Sequence, residues 1–251
     1  MSRFHIRREG VRGDRVVFDR AETHHLARVL RLGAGDVVHA VDGQGAEYTV
    51  RLTRLDARQA EGAILERRDT RTDSPLELVL AQGVPKADKL EGIIRMATEL
   101  GVWRVDPLLT ARSVAGGARE RWTARLDRYR RVAREAAKQT GRARVPEVSA
   151  PLGLTEWLAE RRPPGLVLCL WEGERRSLHD VLPRPPVARA ALVVGPEGGL
   201  TEAEVDDLRR AGALIAGLGP RILRCETAGP VGLALLQARY GDLAGPDPGA
   251  S

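Results

Sequence analysis

Ala191-Leu192-Val193-Val194-Gly195-Pro196-Glu197-Gly198-Gly199-Leu200-Thr201-Glu202-Ala203-Glu204 is the stretch that decides the fold. Its first four residues are uniformly apolar, as expected of a strand buried on both faces of a parallel sheet. Gly195 to Gly199 then make a glycine-rich loop, and Thr201 with Glu204 three residues later forms a capping box that starts a helix. In open α/β sheets, ligands settle at the carboxyl ends of strands, where small residues let the backbone approach them. The loop is not the Gly-x-Gly-x-x-Gly of dinucleotide folds, and no Gly-Lys-Ser/Thr follows to make it a Walker loop. Alone, it reads either as a ligand loop or as a plain connection between strand and helix.

Downstream the pattern repeats. Leu214 to Ala216 form a short apolar strand, followed directly by Gly217-Leu218-Gly219-Pro220-Arg221-Ile222-Leu223-Arg224-Cys225-Glu226-Thr227-Ala228. A Leu- and Ala-rich helix begins near Glu226-Thr227, so an acid and a hydroxyl stand at the positive end of its dipole. Either they cap the helix or they face a ligand. Two glycine-rich loops after strands, with an arginine and two acids between them, raise the odds of a ligand.

Upstream, strands alternate with helices of ten or more residues, which implies a parallel sheet covered by helices. Leu76 to Ala81 is a strand, Lys86 to Leu100 a helix closed by Gly101, and Val102 to Leu109 the next strand. A helix from about Arg119 to Thr140 places Trp122, Leu126, Tyr129, Ala133 and Ala136 on one stripe and most of its arginines opposite. Leu166 to Leu170 is a further buried strand. Residues 1 to about 70 read differently, as short β segments around Arg15–Phe18, Asp36–Val41 and Glu47–Leu52. A hairpin signal sits at Asp42-Gly43 with Gly45, and a short helix runs from His25 to Leu32. This is a small β-barrel, joined to the rest by the polar stretch 69–75. The tail from residue 243 onward is expected to be disordered.

The chain has 251 residues, 43% hydrophobic and 29% charged, which excludes wholesale disorder and leaves room for two cores. No run approaches the roughly 18 to 20 apolar residues that cross a bilayer, and the start lacks the apolar stretch of a signal peptide, so a cytoplasmic protein with no membrane partner is expected. Cys169 and Cys225 show no metal or redox spacing and read as buried small side chains. Zinc needs three or four converging ligands, and His5, His24, His25, His39 and His179 show no such spacing, so no metal is expected. The net charge of +6 is concentrated: between Arg112 and Arg144, eleven basic residues face three acids. Arginine dominates there, which suits bidentate contact with phosphate, although a solvated helix face would look the same.

The segments 194–204 and 218–228 closely resemble the bacterial ribosomal RNA small subunit methyltransferase E family. The resemblance extends to His24-His25-Leu26-Ala27-Arg28-Val29-Leu30-Arg31-Leu32 with Gly35-Asp36, to Lys89-Leu90-Glu91 with Ala97-Thr98-Glu99-Leu100-Gly101-Val102, and to Gln139, Arg142 and Val145-Pro146. It covers nearly the whole chain in order. It implies an α/β fold: a small PUA-like RNA-binding β-barrel over residues 1–72, then a SPOUT-type trefoil-knotted parallel sheet with helices on both faces over 73–242. The knot is not readable from the pattern of strands and helices, whose default is an unknotted sheet.

The resemblance also implies S-adenosylmethionine as cofactor, methylation of N3 of one uridine in 16S rRNA of the assembled small ribosomal subunit, and a homodimer. Carried over by position, Leu170, Gly195, Glu197, Gly199, Leu218, Gly219, Leu223, Arg224 and Thr227 would line the cofactor. RNA contact is expected of His25, Arg28, Arg31, Arg112, Arg121, Arg125, Arg128, Gln139 and Arg142. The sequence departs from the usual pattern at Ala111, Met96 and Lys138. The uracil N3–H is a weak acid, so a base must take its proton or a cation must stabilise the anion; Glu226 and Arg224 are the candidates for these catalytic roles. A SPOUT enzyme acting on another RNA and a non-catalytic ribosome-binding factor remain as alternatives.

Overall fold

The computed structural model describes residues 3–6, 8–43, 45–69, 73–86, 88–113, 119–162 and 165–245; the side chains of Arg3, Arg8 and residues 119–121 lie outside that description. The chain divides into two compact units: Met1–Asp73 with Ala137–Val145, and Ser74–Ala136 with Pro146–Ser251.

The first unit contains β1 (Arg3–His5), β2 (Val11–Arg12), β3 (Arg15–Phe18), α1 (Arg20–His24), β4 (Val37–Val41), β5 (Ala46–Leu55) and β6 (Ala60–Asp69). These strands form one sheet in the order β1-β4-β5-β6-β3-β2. Among them, only the β1–β4 pairing is parallel. Although β1 and β3 are separated by three strands, the rings of Phe4 and Phe18 meet edge-on with centroids 6.3 Å apart. The sheet therefore curls around a shared core that includes Phe4, Val16, Phe18, Leu26, Val50 and Leu52.

The hairpin at Asp42-Gly43 joins β4 to β5, with the Asp42 carboxylate accepting the Ala46 N–H at 3.1 Å. The helix expected over His25–Leu32 starts earlier, at Arg20, because Asp19 caps it by accepting the Glu22 N–H at 2.9 Å. It continues as a wider turn over His25–Val29.

Residues 137–145, expected in the larger domain, join the first unit for identifiable reasons. The buried Arg142 guanidinium grips Asp73 through Nε and Nη2, both at 2.9 Å. The Arg144 N–H donates to the same carboxylate at 3.0 Å, and Val145 N–H reaches the Gly43 carbonyl. Lys138, where the sequence departs from the usual pattern, pairs with Glu22. Of the expected linker, residues 70–72 lie outside the described residues, as do residues 246–251 of the expected disordered tail.

The second unit contains β7 (Glu77–Gly83), α2 (Lys89–Glu99), β8 (Arg104–Leu109), α3 (Arg119–Thr140, whose end reaches the first unit), β9 (Glu147–Val148), β10 (Leu152–Gly153), α4 (Leu154–Glu160), β11 (Leu166–Leu170), α5 (Leu178–Val181), β12 (Arg189–Val194), α6 (Glu202–Arg210), β13 (Leu214–Ala216) and α7 (Cys225–Tyr240). The sheet runs β10-β8-β7-β12-β11-β13, with β9 on β8, and each of these pairings is parallel.

Strand alternation sends side chains to both faces. Val79, Cys169, Ala191, Val193 and Ile215 pack with Trp157 of α4 and with Val205 and Leu208 of α6. On the other face, the backbone of Gly232 in α7 lies against Leu192 and Leu170. Side chains such as Leu192, wholly buried, contribute about 1.5–3 kcal/mol each. From β13 at the edge, the chain returns to lay α7 on α2, β7 and β12.

Candidate active site

The carboxyl ends of β12, β11 and β13 lie side by side, because β11 sits between the other two in the sheet. The loops that leave them enclose a cavity of about 440 Å³, within the range that takes a cofactor-sized ligand. Gly195, Pro196, Glu197 and Gly199 form one wall, and residues 217–224 with the first turn of α7 form the opposite one. Between them stand Leu170, Trp171, Glu172 and Glu174, and Lys89 of α2 closes the rim.

Of the nine positions expected at the cofactor, eight line this cavity: Leu170, Gly195, Glu197, Gly199, Leu218, Gly219, Leu223 and Arg224. Thr227 does not line it; it is exposed on α7. The sequence reading missed Lys89, Trp171, Glu172 and Glu174. The last three follow a buried strand directly, and that abrupt change to polar residues was the available signal.

The glycines answer to the loop itself. Gly199 has φ +71°, and a Cβ there would stand 2.2 Å from Glu172 Oε1. A Cβ on Gly195 would stand 2.9 Å from the Gly199 carbonyl carbon and 3.0 Å from the Leu200 nitrogen. Thr201 and Glu204 form the capping box at the start of α6, with Thr201 N–H donating to Glu204 Oε2 at 2.8 Å.

At the rim, Lys89 Nζ lies 3.0 Å from Glu197 Oε1 and 3.3 Å from Glu226 Oε1. Burial opposes ionisation of Glu197, yet Lys89 and the backbone amides of Glu197 and Lys86 outweigh it and hold the carboxyl below its usual range. Glu226 is also held low, first by its own backbone N–H, then by the Cys225 thiol donating to Oε2 at 3.2 Å, and by Lys89. The two carboxylates in turn raise Lys89, Glu197 most strongly. Burial first, and then Glu226, push the Cys225 thiol up to about 12, which keeps it protonated and unreactive. Glu174 is pulled down to about 2, chiefly by Arg176. Arg224 is exposed, and among the described residues its guanidinium makes no hydrogen bond or ion pair. Among the described residues, no group of three or more His, Cys, Asp or Glu side chains could hold a metal. No described helix is long and apolar enough to cross a membrane.

The residues expected to touch RNA divide between the two units. In the first unit, Arg28, Arg31 and Gln139 are exposed, and His25 is half-buried with its ring 5.6 Å from that of Phe4. Arg142 is not available to RNA in this structure, since it is buried on Asp73. In the second unit, Arg112 donates to the Gly198 carbonyl at 2.7 Å, which ties it to the glycine-rich loop after β12. On α3, Arg125 lies over the Trp122 ring at 5.7 Å and Arg128 pairs with Glu91 at 2.7 Å, both still largely exposed. The side chain of Arg121 is outside the described residues.

Residues 72–237 match the family described as RNA methyltransferase domain, and residues 18–65 match RNA methyltransferase PUA domain. The chain is 34% identical to ribosomal RNA small subunit methyltransferase E of Bacillus subtilis over 220 residues, covering 82% of this chain and 83% of the relative. It is 35% identical over 225 residues to the protein of the same name from Mycobacterium tuberculosis, covering 86% and 84%. The ribosomal RNA small subunit methyltransferase E of Neisseria gonorrhoeae, solved bound to S-adenosyl methionine, matches with a TM-score of 0.86 and 32% identity over 96% of this chain and 99% of that one. A Legionella pneumophila methyltransferase in complex with bound cofactor SAM gives 0.86 and 30% over 97% and 99%.

Proposed function

Because this chain belongs to the ribosomal RNA small subunit methyltransferase E family, we propose that it methylates N3 of one uridine in 16S rRNA of the assembled small subunit, using S-adenosylmethionine, as a cytoplasmic homodimer. The observation that carries this reading is the cavity at the ends of β11, β12 and β13, with an exposed guanidinium and a clamped carboxylate on one rim.

The residues present fit that cofactor. It carries two positive centres, a carboxylate, ribose hydroxyls and a purine, and the cavity offers four carboxylates, three cations, apolar walls and a loop of backbone amides and carbonyls. Leu170, Gly195, Glu197, Gly199, Leu218, Gly219, Leu223 and Arg224 would hold it. Bound there, S-adenosylmethionine supplies an electrophilic methyl carbon on a sulfonium sulfur. The loops contribute by fixing the line of approach, since aligned reactants gain a large part of their acceleration from position alone. Glu226, ionised at neutral pH, accepts the N3 proton. Arg224, with no partner among the described residues to give up, faces the negative charge that develops on the uracil. N3 lies on the pairing edge, so the uridine reaches this rim only unpaired or swung out of its stack.

The exposed arginines of α3 supply the phosphate contacts in this reading. Replacing Arg125 and Arg128 with glutamate weakens binding to purified small subunits and lowers the log–log salt slope by about one for every phosphate no longer neutralised. A filter-binding series from low to high salt measures both, and an unchanged slope would show that this face meets solvent only.

The function itself is tested by incubating the protein with labelled S-adenosylmethionine and small subunits, or with free 16S rRNA or transfer RNA, then mapping modified nucleosides by mass spectrometry. N3-methyluridine at one position of 16S rRNA, formed only in the assembled subunit, is the expected result. Label in a ribose or in transfer RNA would replace the substrate assignment, and subunit binding without label would indicate a non-catalytic factor.

A further inference from the structure

Lys89, at the start of α2, has no role in the chemistry described so far. Its one ammonium joins three pieces of backbone: α2, the loop after β12 through Glu197 at 3.0 Å, and the first turn of α7 through Glu226 at 3.3 Å. The join has a second anchor on the Glu197 side, where both carboxylate oxygens accept the Lys86 N–H at 3.1 Å. Glu226 faces the Cys225 thiol and its own N–H on α7, Lys89 on α2 and, across that lysine, Glu197 on the loop.

We infer that Lys89 is a positioning residue for methyl transfer: by sharing its ammonium between Glu197 and Glu226, it holds the proton acceptor in place against the loop after β12. This deepens, and rests on, the reading of Glu226 as acceptor. Two neighbouring carboxylates without a cation repel one another, which raises their midpoints and pushes the side chains apart. An ammonium has three donors, so one lysine serves both groups without releasing either. A shared cation also binds each carboxylate less tightly than a dedicated pair does, which leaves Glu226 basic enough to react. When the N3–H bond breaks and a carboxyl O–H forms on Glu226, Lys89 keeps Glu197 as its counter-ion and is not stranded.

The test is a carbon-13 NMR titration of the ligand-free full chain labelled at glutamate carboxyls, with Glu226 assigned by the resonance that disappears in Glu226→Gln. Lys89→Met raises the Glu226 midpoint by about half a unit to one unit, less than a buried pair would give because Lys89 is 36% and Glu226 26% exposed. Glu197→Gln moves it the opposite way, because Lys89 is then undivided and a negative neighbour is gone. Lys89→Arg stays near wild type. The acid limb of the single-turnover pH profile follows the same three directions. A midpoint unmoved in Lys89→Met overturns the inference, and if Lys89→Met does not fold, Lys89→Gln takes its place, because Glu197→Gln removes a negative neighbour whether or not Lys89 is shared. An acid limb that persists in Glu226→Gln overturns the acceptor assignment and this inference with it. A limb that vanishes in Glu226→Gln but stays put in Lys89→Met overturns only the role of Lys89.

Discussion

Gly199→Val loses S-adenosylmethionine binding in calorimetry at concentrations that saturate the wild type, while the melting temperature falls by only roughly 5–10 °C. Valine is a poor occupant of φ +71°, because its branched Cβ crowds the backbone in the left-handed region. That strain is local and costs about 1–3 kcal/mol, small enough for the sheet to survive. The functional damage comes from where the new Cβ points. It would lie 2.2 Å from Glu172 Oε1, so the Glu172 carboxylate must swing away, and Glu172 lines the same cavity. The loop has no easy retreat, since Gly195 already packs on the Gly199 backbone. Gly199→Ala separates the causes: its Cβ meets Glu172 at the same 2.2 Å but lacks the branching of valine, so it destabilises the fold less and still weakens binding strongly. Near-normal affinity in the valine variant would remove the cofactor assignment from this loop.

The parallel sheet was legible because its strands are apolar on both faces: Ala191 to Val194 and Leu166 to Leu170 are buried almost throughout. Strand order was not legible, as periodicity records burial and not neighbours. That β11 lies between β12 and β13 is therefore news from the structure, and it explains why Trp171, Glu172 and Glu174 escaped notice. Residues 137–145 escaped for a related reason. Arg142 looked like part of a basic face, but its partner Asp73 is far away in sequence, and charge patterning within a helix cannot reveal such a pairing. The same applies to Lys89, whose two partners, on the loop after β12 and on the first turn of α7, only the fold brings together. Local signals succeeded where the chemistry was local, as in the Thr201/Glu204 cap and the Asp42-Gly43 hairpin, and they failed at Asp19, which caps α1 six residues before the expected start.

Glu226→Gln cuts single-turnover methylation by about 100-fold or more and leaves S-adenosylmethionine affinity close to wild type. Glutamine keeps the size of the side chain and an oxygen able to accept from Lys89 and the Cys225 thiol, so the rim stays assembled. What it removes is the capacity to take a proton at N3. A cap role predicts the opposite outcome: the helix needs an acceptor near its first amides, glutamine supplies one, and turnover then stays near wild type. The pH dependence adds an independent reading. Glu226 is held below the usual carboxylate range, so it is ionised across the neutral range, and the wild-type rate falls only on strong acidification, as pH drops through that lowered value. In Glu226→Gln this acid limb is absent, and the rate rises with pH instead, because hydroxide in solution increasingly removes the N3 proton that the side chain no longer accepts. Single-turnover rates and calorimetry on the same preparation keep the result decisive: a variant slow at every pH that also fails to bind the cofactor would place Glu226 in the scaffold of α7 and leave proton removal to a water or to the RNA itself.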